Sequence, residues 1–235
     1  THPLSAEERD AINRRLDALI ESSTRGLAER PDDVRLLLSR GAAYFQRHRF
    51  KESLADFDRI IAIEPKHEPE LWQRGITLYC LKEYDAGARQ FERYHTFDCV
   101  DRENGIWHFL CRAASDGPES ARKSLLVYTA DDRPPFPELY RMFQGKLTGA
   151  ELLEMVKTAL VSADERDKMF FYGHLYVGYH ALAHKDKKTA ITHLREAVAN
   201  RWGRRSGNGA GYMWHVARVQ FELLLAETKP ARADP

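Results

Sequence analysis

VRLLLSRGAAYFQRHRFKESLADFDRIIAIEP, residues 34–65, reads as two helices joined by a short turn. Gly41, Ala42 and Ala43 are small where two helices would cross closely, and Tyr44 and Phe57 are placed to fill the space between them. Phe50 closes the turn, and Pro65 stops the second helix because proline cannot continue one. Gly41, Phe50, Ser53, Phe57 and Pro65 return thirty-four positions later as Gly75, Tyr84, Gly87, Phe91 and Cys99. The second unit, EPELWQRGITLYCLKEYDAGARQFERYHTFDC, keeps this register and is expected to place Pro69 in its first helical turn, where a missing N–H costs nothing.

About 34 residues is the period of the tetratricopeptide repeat (TPR), a helix–turn–helix that buries its apolar face by stacking on its neighbours. The chain resembles that family, which implies an all-α fold: a TPR-type antiparallel helical-hairpin solenoid, wound as a right-handed superhelix with capping helices. Pro31 lies thirty-four before Pro65, so residues 5–33 are expected to hold an N-terminal capping helix ahead of repeats at 34–67 and 68–101. A degenerate repeat is expected at 102–135, where Ala121 continues the Ser53–Gly87 series, Leu125 continues Phe57–Phe91, and Phe109 replaces the small residue. The register then breaks at DDRPPFP, residues 131–137, too rich in proline for a helix. Beyond it a degenerate helical pair is expected at 136–163, a repeat-like unit at 164–202 and a C-terminal capping helix at 209–228, all within one solenoid domain over 1–235. RWGRRSGNGAG, 201–211, reads as a flexible loop and KPARADP as a frayed tail.

Composition narrows the function classes. The net charge is +1, from 36 basic and 35 acidic side chains, so no broad field for nucleic acid or an anionic membrane arises. No apolar run approaches the ~18 residues of a membrane span. With Thr1 in place of Met, the chain reads as a processed or truncated product, and a signal or lipid-anchor segment would already be missing. Cys80, Cys99 and Cys111 are too far apart for a paired metal or redox motif and are expected to be helix-packing residues.

In such a fold the inner helices line a concave groove. The groove residues expected here are Phe45 in the first unit, Trp72, Gln73, Ile76 and Tyr79 in the second, and Tyr172, Tyr176 and Tyr179 in the late unit. The lining is aromatic and suits a peptide or partner helix held by aromatic anchors. The capping helices could cover the same groove, or a second copy of the chain could fill it, which would make a structural homo-oligomer. TPR domains that grip a C-terminal carboxylate carry Lys and Asn at positions that hold Leu38, Ser39, Ala42 and Trp72 here, so that clamp is absent.

No catalytic residue, cofactor or metal is expected. His180 and His184 share one face at i,i+4 and His193 lies on the next helix, but no acidic partner completes a zinc site, and they read as surface or turn histidines. SGNGAG follows no strand and lacks the Lys–Ser/Thr ending of a phosphate loop. No Gly-x-Ser-x-Gly elbow occurs, and PPFP, 134–137, reads as a rigid connector or a ligand for a proline-binding module.

FFYGHLYVGYHALAHKDKKTAITHLREAVAN, 170–200, with the amphipathic helix after it, resembles the C-terminal region of NlpI-type TPR lipoproteins. GIWHFLCRAASDGPESARKSL, 105–125, is similar to that family's third unit. The resemblance implies a bacterial envelope or periplasmic protein anchored through a lipidated N-terminal cysteine. It also implies a homodimer acting as an adaptor or scaffold for an envelope protease or cell-wall hydrolase.

Overall fold

The computed structural model describes residues 2–130 and 132–228; the KPARADP tail lies outside the described residues, as does Asp131 of the proline-rich stretch. Among the described residues there are thirteen α-helices, one 3-10 turn and no strand. They form two compact units, one of residues 5–147, the other of residues 148 onward together with 2–4.

In the first unit, α1 (Ala6–Glu29), α2 (Val34–Gln46), α3 (Phe50–Ile63), α4 (Trp72–Cys80), α5 (Tyr84–Phe97) and α6 (Arg102–Asp116) pack in chain order, each on the next. Local chemistry sets their starts. Ser5 and Glu8 make a reciprocal capping box on α1, and Asp33 and Asp101 accept backbone N–H bonds at the heads of α2 and α6. The hairpin turns repeat as faithfully as the helices. His48 and Lys82, thirty-four apart, both take positive φ, 60° and 64°, and in each turn the next residue donates back across the helix end, Arg49 to Tyr44 and Glu83 to Leu78.

Helix pairs approach closely where glycine allows it. A Cβ on Gly41 would stand 2.9 Å from the Phe57 ring, and one on Gly75 only 2.5 Å from Phe91. Phe57 joins Leu27, Leu37, Ile60 and Leu71 in one core cluster. Tyr44 faces the other way, packing with Ile12, Leu16, Ile20 and Ala43 between α1 and α2. Pro65 does end α3, yet it opens a 3-10 turn (Pro65–His67), and Pro69 falls in the turn ahead of α4 instead of inside that helix.

The third hairpin departs from the pattern for a steric reason. Phe109 occupies the glycine position, is fully buried, and turns edge-on to Phe143 at 5.1 Å on α8 (Phe136–Phe143). The second helix of this hairpin, α7 (Pro118–Lys123), lasts six residues, so Leu125 lies beyond its end in a segment without regular secondary structure.

The second unit contains α9 (Gly149–Thr158), α10 (Ala163–Ala183), α11 (Lys187–Ala199), α12 (Arg201–Arg205) and α13 (Asn208–Thr228). The helical pair expected over 136–163 is therefore divided, with α8 in the first unit and α9 in the second. The 164–202 unit appears as the α10–α11 hairpin, closed by Lys185 at φ 63°. The loop expected at 201–211 is largely helical. Asn200 caps α12 by accepting from Gly203 N–H at 2.9 Å, Trp202 packs beside Phe171 and Tyr172, and α13 starts at Asn208. Trp214 of α13 donates its indole N–H to Val198 O at 3.1 Å, which ties α13 to the end of α11.

Candidate functional site

The expected groove residues divide by depth. Phe45, Ile76, Tyr176 and Tyr179 are completely enclosed, and Tyr172 is buried, so none of them presents a face to a partner. This corrects the groove assignment, and helical geometry supplies the reason. At 100° per residue, Phe45 stands roughly a quarter turn from the line through Arg35, Ser39, Ala42 and Gln46. Its ring meets Phe50 at 5.5 Å, as Tyr79 meets Tyr84 at 5.7 Å thirty-four residues later. Position 45/79 thus closes the hairpin. Tyr79 also packs edge-on to Trp107 at 5.6 Å. Trp72, Gln73 and Tyr79 stay half-buried on α4, as do Leu38, Ser39, Ala42 and Gln46 on α2.

The histidines fall differently from expectation as well. The His180 and His184 rings lie 4.4 Å apart, tilted by 35°, at the end of α10, while His193 pairs with His174, Nδ1 to Nδ1 at 3.0 Å. Among the described residues no three His, Cys, Asp or Glu side chains converge to hold a metal. None of the helices described is long and apolar enough to cross a membrane.

A pocket of about 530 Å³ opens in the first unit where the repeat pattern fails. One wall is the irregular segment Leu125–Tyr128; the others come from α6, α7, α8 and the turn after α8. Gly105 on α6 makes room for this segment, because a Cβ there would sit 2.7 Å from Tyr128 Cε2 and Oη. Tyr128 packs edge-on to Tyr140 at 5.1 Å, and the Tyr140 hydroxyl donates to Leu126 O at 2.6 Å. Burial pushes both phenols up, well away from ionisation. Beyond the pocket, Arg133 secures the end of the strap by binding Asp101, Glu103 and Asp132.

Among the described residues, four cations line this pocket, Arg102, Arg122, Arg141 and Lys146, and no carboxylate does. Its chemistry is that of an anion receptor with an apolar rim, since Leu125, Leu126 and exposed Val127 complete the lining. The four lie up to forty-four positions apart on three helices and a turn, so no local motif announced them. The available signal was the loss of register between Phe109 and the proline run.

No family model matches the chain. Over 102 residues it is 24% identical to the SGT1 homolog of Bos taurus, a match covering 43% of this chain and 30% of that protein. The chain therefore spans under a third of the length of the curated relative it matches. A tetratricopeptide repeat protein from Parabacteroides merdae superposes with a TM-score of 0.50 at 15% identity, over 95% of this chain and 86% of that one. The fold is accordingly that of the TPR proteins, an all-α arrangement of antiparallel helical hairpins.

Proposed function

We propose that this chain is a non-catalytic protein–protein interaction module, an adaptor or scaffold that holds a partner against its helical hairpins. The observation that carries this reading is the stack of consecutive hairpins in residues 5–147, which leaves Trp72 and Gln73 half-buried on α4. A half-buried tryptophan offers contact area, and tryptophan is one of the residue types enriched in binding hot spots. The TPR-type fold supports this reading, because stacked repeats create extended binding surfaces. The resemblance of residues 170–200 to NlpI-type lipoproteins makes envelope fractions the first place to seek the partner, with an envelope protease or cell-wall hydrolase as the class to look for.

The test is capture of partners by the immobilised chain, compared with Trp72→Ala and Gln73→Ala variants whose folding is verified by circular dichroism. Loss of a specific partner from the variants is the expected result. Undiminished recovery of that partner would remove this face from the binding surface.

A further inference from the structure

The pocket beside α7 is suited to a particular kind of partner, and this inference rests on the interaction-module reading above. Arg102 stands in the first turn of α6 and Arg122 in the last turn of α7. Arg141 stands in the last turn of α8, and Lys146 directly after Gly145 closes that helix. Attraction to helix C-termini accounts for Arg122 and Arg141 but not for Arg102, at the end of a helix where cations are disfavoured, nor for Lys146 beyond the turn. Their hydrogen bonding is incomplete. Arg122 binds Glu119 at 2.7 Å and reaches Phe143 O at 3.4 Å. Arg102 donates from Nη2 to Ala130 O at 2.7 Å, while its buried Nη1 has no hydrogen-bond partner among the described residues. Arg141 and Lys146 are exposed, and neither side chain forms an ion pair with any described residue.

The wall facing these cations adds a second feature. Residues 125–129 belong to no helix or strand and 130 is a bend, and none of the backbone N–H groups of 125–130 donates a hydrogen bond to another described residue. Backbone donors left without an internal partner can be satisfied by a second chain laid alongside them. Carboxylates delivered this way would meet guanidinium and ammonium donors, the pairing that gives strong charge-assisted hydrogen bonds.

We propose that this pocket binds an extended acidic segment of a protein partner, with its backbone along residues 125–130 and its Asp or Glu side chains on Arg102, Arg122, Arg141 and Lys146. Nucleic acid fits less well. Tyr140 is packed against Tyr128 with no open ring face on which a base could stack, and the chain as a whole has no basic excess.

Fluorescence anisotropy of the full chain with a labelled oligoglutamate peptide tests this. Saturable binding that weakens with added salt, with no binding of the matching oligoglutamine peptide, is expected. Arg141→Glu and Lys146→Glu should each weaken binding by about tenfold, a typical value for a charged hydrogen bond, and the milder Arg141→Gln and Lys146→Gln variants should move it in the same direction. Trp72→Ala should leave it unchanged. Equal binding by all the pocket variants overturns the assignment, as does equal binding of oligoglutamine. Displacement of the peptide by a single-stranded oligonucleotide at lower concentration than by unlabelled peptide transfers the pocket to nucleic acid and overturns the peptide reading. If Trp72→Ala loses its captured partner while the pocket variants bind oligoglutamate normally, the interaction module stands and only the pocket assignment fails.

Discussion

Arg40 on α2 grips Asp56 on α3 through two parallel hydrogen bonds, Nε to Oδ2 at 2.9 Å and Nη2 to Oδ1 at 2.7 Å. Its remaining arm reaches back to Thr24 on α1 at 3.2 Å. Thirty-four residues on, Arg74 does the same, binding Gln90 ahead at 3.0 Å and Asp58 behind at 2.7 Å. After another thirty-four, His108 meets Glu92 behind at 3.0 Å, and the forward partner is gone because α7 has ended before Ser124. One position in each of the first two repeats therefore bridges the preceding and following second helices, and the third keeps only the backward link. In this role α1 stands in for the second helix of an earlier repeat.

Because Asp56 is buried and paired on both oxygens, Asp56→Ala leaves Arg40 without its partner and should cost about 3 kcal/mol. Asp56→Gln copies the Arg74–Gln90 link and should cost clearly less. Urea unfolding of both variants measures the difference, and equal losses would show that the repeated bridge contributes little beyond filling space.

Gly75→Ala tests the helix crossing. The added carbon would meet Phe91 Cζ at 2.5 Å and Cε2 at 2.7 Å, and Phe91 is enclosed, so the ring has nowhere to withdraw. Overpacking of this kind costs about 1–3 kcal/mol, against a gain in helix propensity of about 1. A net loss near 1 kcal/mol is expected by thermal unfolding. In Gly173→Ala the nearest atoms are leucine methyls at 3.1 and 3.4 Å, so the two effects should nearly cancel. Stabilisation of Gly75→Ala would mean that the crossing is looser than this geometry.

The repeat was legible wherever the same residue type had to return. Gly41 and Gly75, Phe57 and Phe91, Phe50 and Tyr84 all answer one steric demand, and their spacing carries through to the structure. The Arg40–Arg74–His108 bridge also keeps that spacing, but its partners change from Thr24 to Asp58 to Glu92, and hydrogen bonding tolerates such exchange where packing does not. Groove and core were confused because an aromatic side chain one quarter turn from the exposed line, such as Phe45, serves the hairpin turn equally well. The helical character of 201–211 was hidden by glycine content, which local propensity penalises and which the packing of Trp202 on Phe171 and Tyr172 overrides. The basic pocket had no sequence signature, since its cations converge only after α7 has been cut short.

The His174–His193 contact makes the second unit sensitive to acid. An Nδ1–Nδ1 hydrogen bond needs one ring to donate and the other to accept, so it fails once both imidazoles are protonated. Burial, and then the neighbouring His193, push the His174 pKa down to about 4, and burial lowers His193 as well, against the opposing pull of Glu196. Both groups take up protons more readily in the unfolded chain. Their contribution is therefore complete above about pH 6.5 and is lost as pH falls toward 4. His174 alone should remove about 2 kcal/mol between about pH 7 and about pH 5. Unfolding midpoints of the native chain and of His174→Gln across this range provide the check, and an unchanged pH slope in the variant would assign the acid sensitivity elsewhere.

The three cysteines should separate cleanly under alkylation. All are free; Cys111 is buried, Cys80 is half-buried and Cys99 is exposed just beyond α5, which removes it from the packing role expected of all three. Burial pushes the Cys80 thiol up to about 12 and raises Cys111 too. At neutral pH a thiol of that pKa is ionised on the order of one part in a hundred thousand, and only the thiolate attacks an alkylating reagent. Iodoacetamide with the folded protein should give one adduct, at Cys99, which Cys99→Ser abolishes. Cys80 and Cys111 should react only in denaturant, and peptide mass mapping reads all three sites. Labelling of Cys80 at the Cys99 rate under native conditions would mean that α4 opens readily, in conflict with a rigid stack of hairpins.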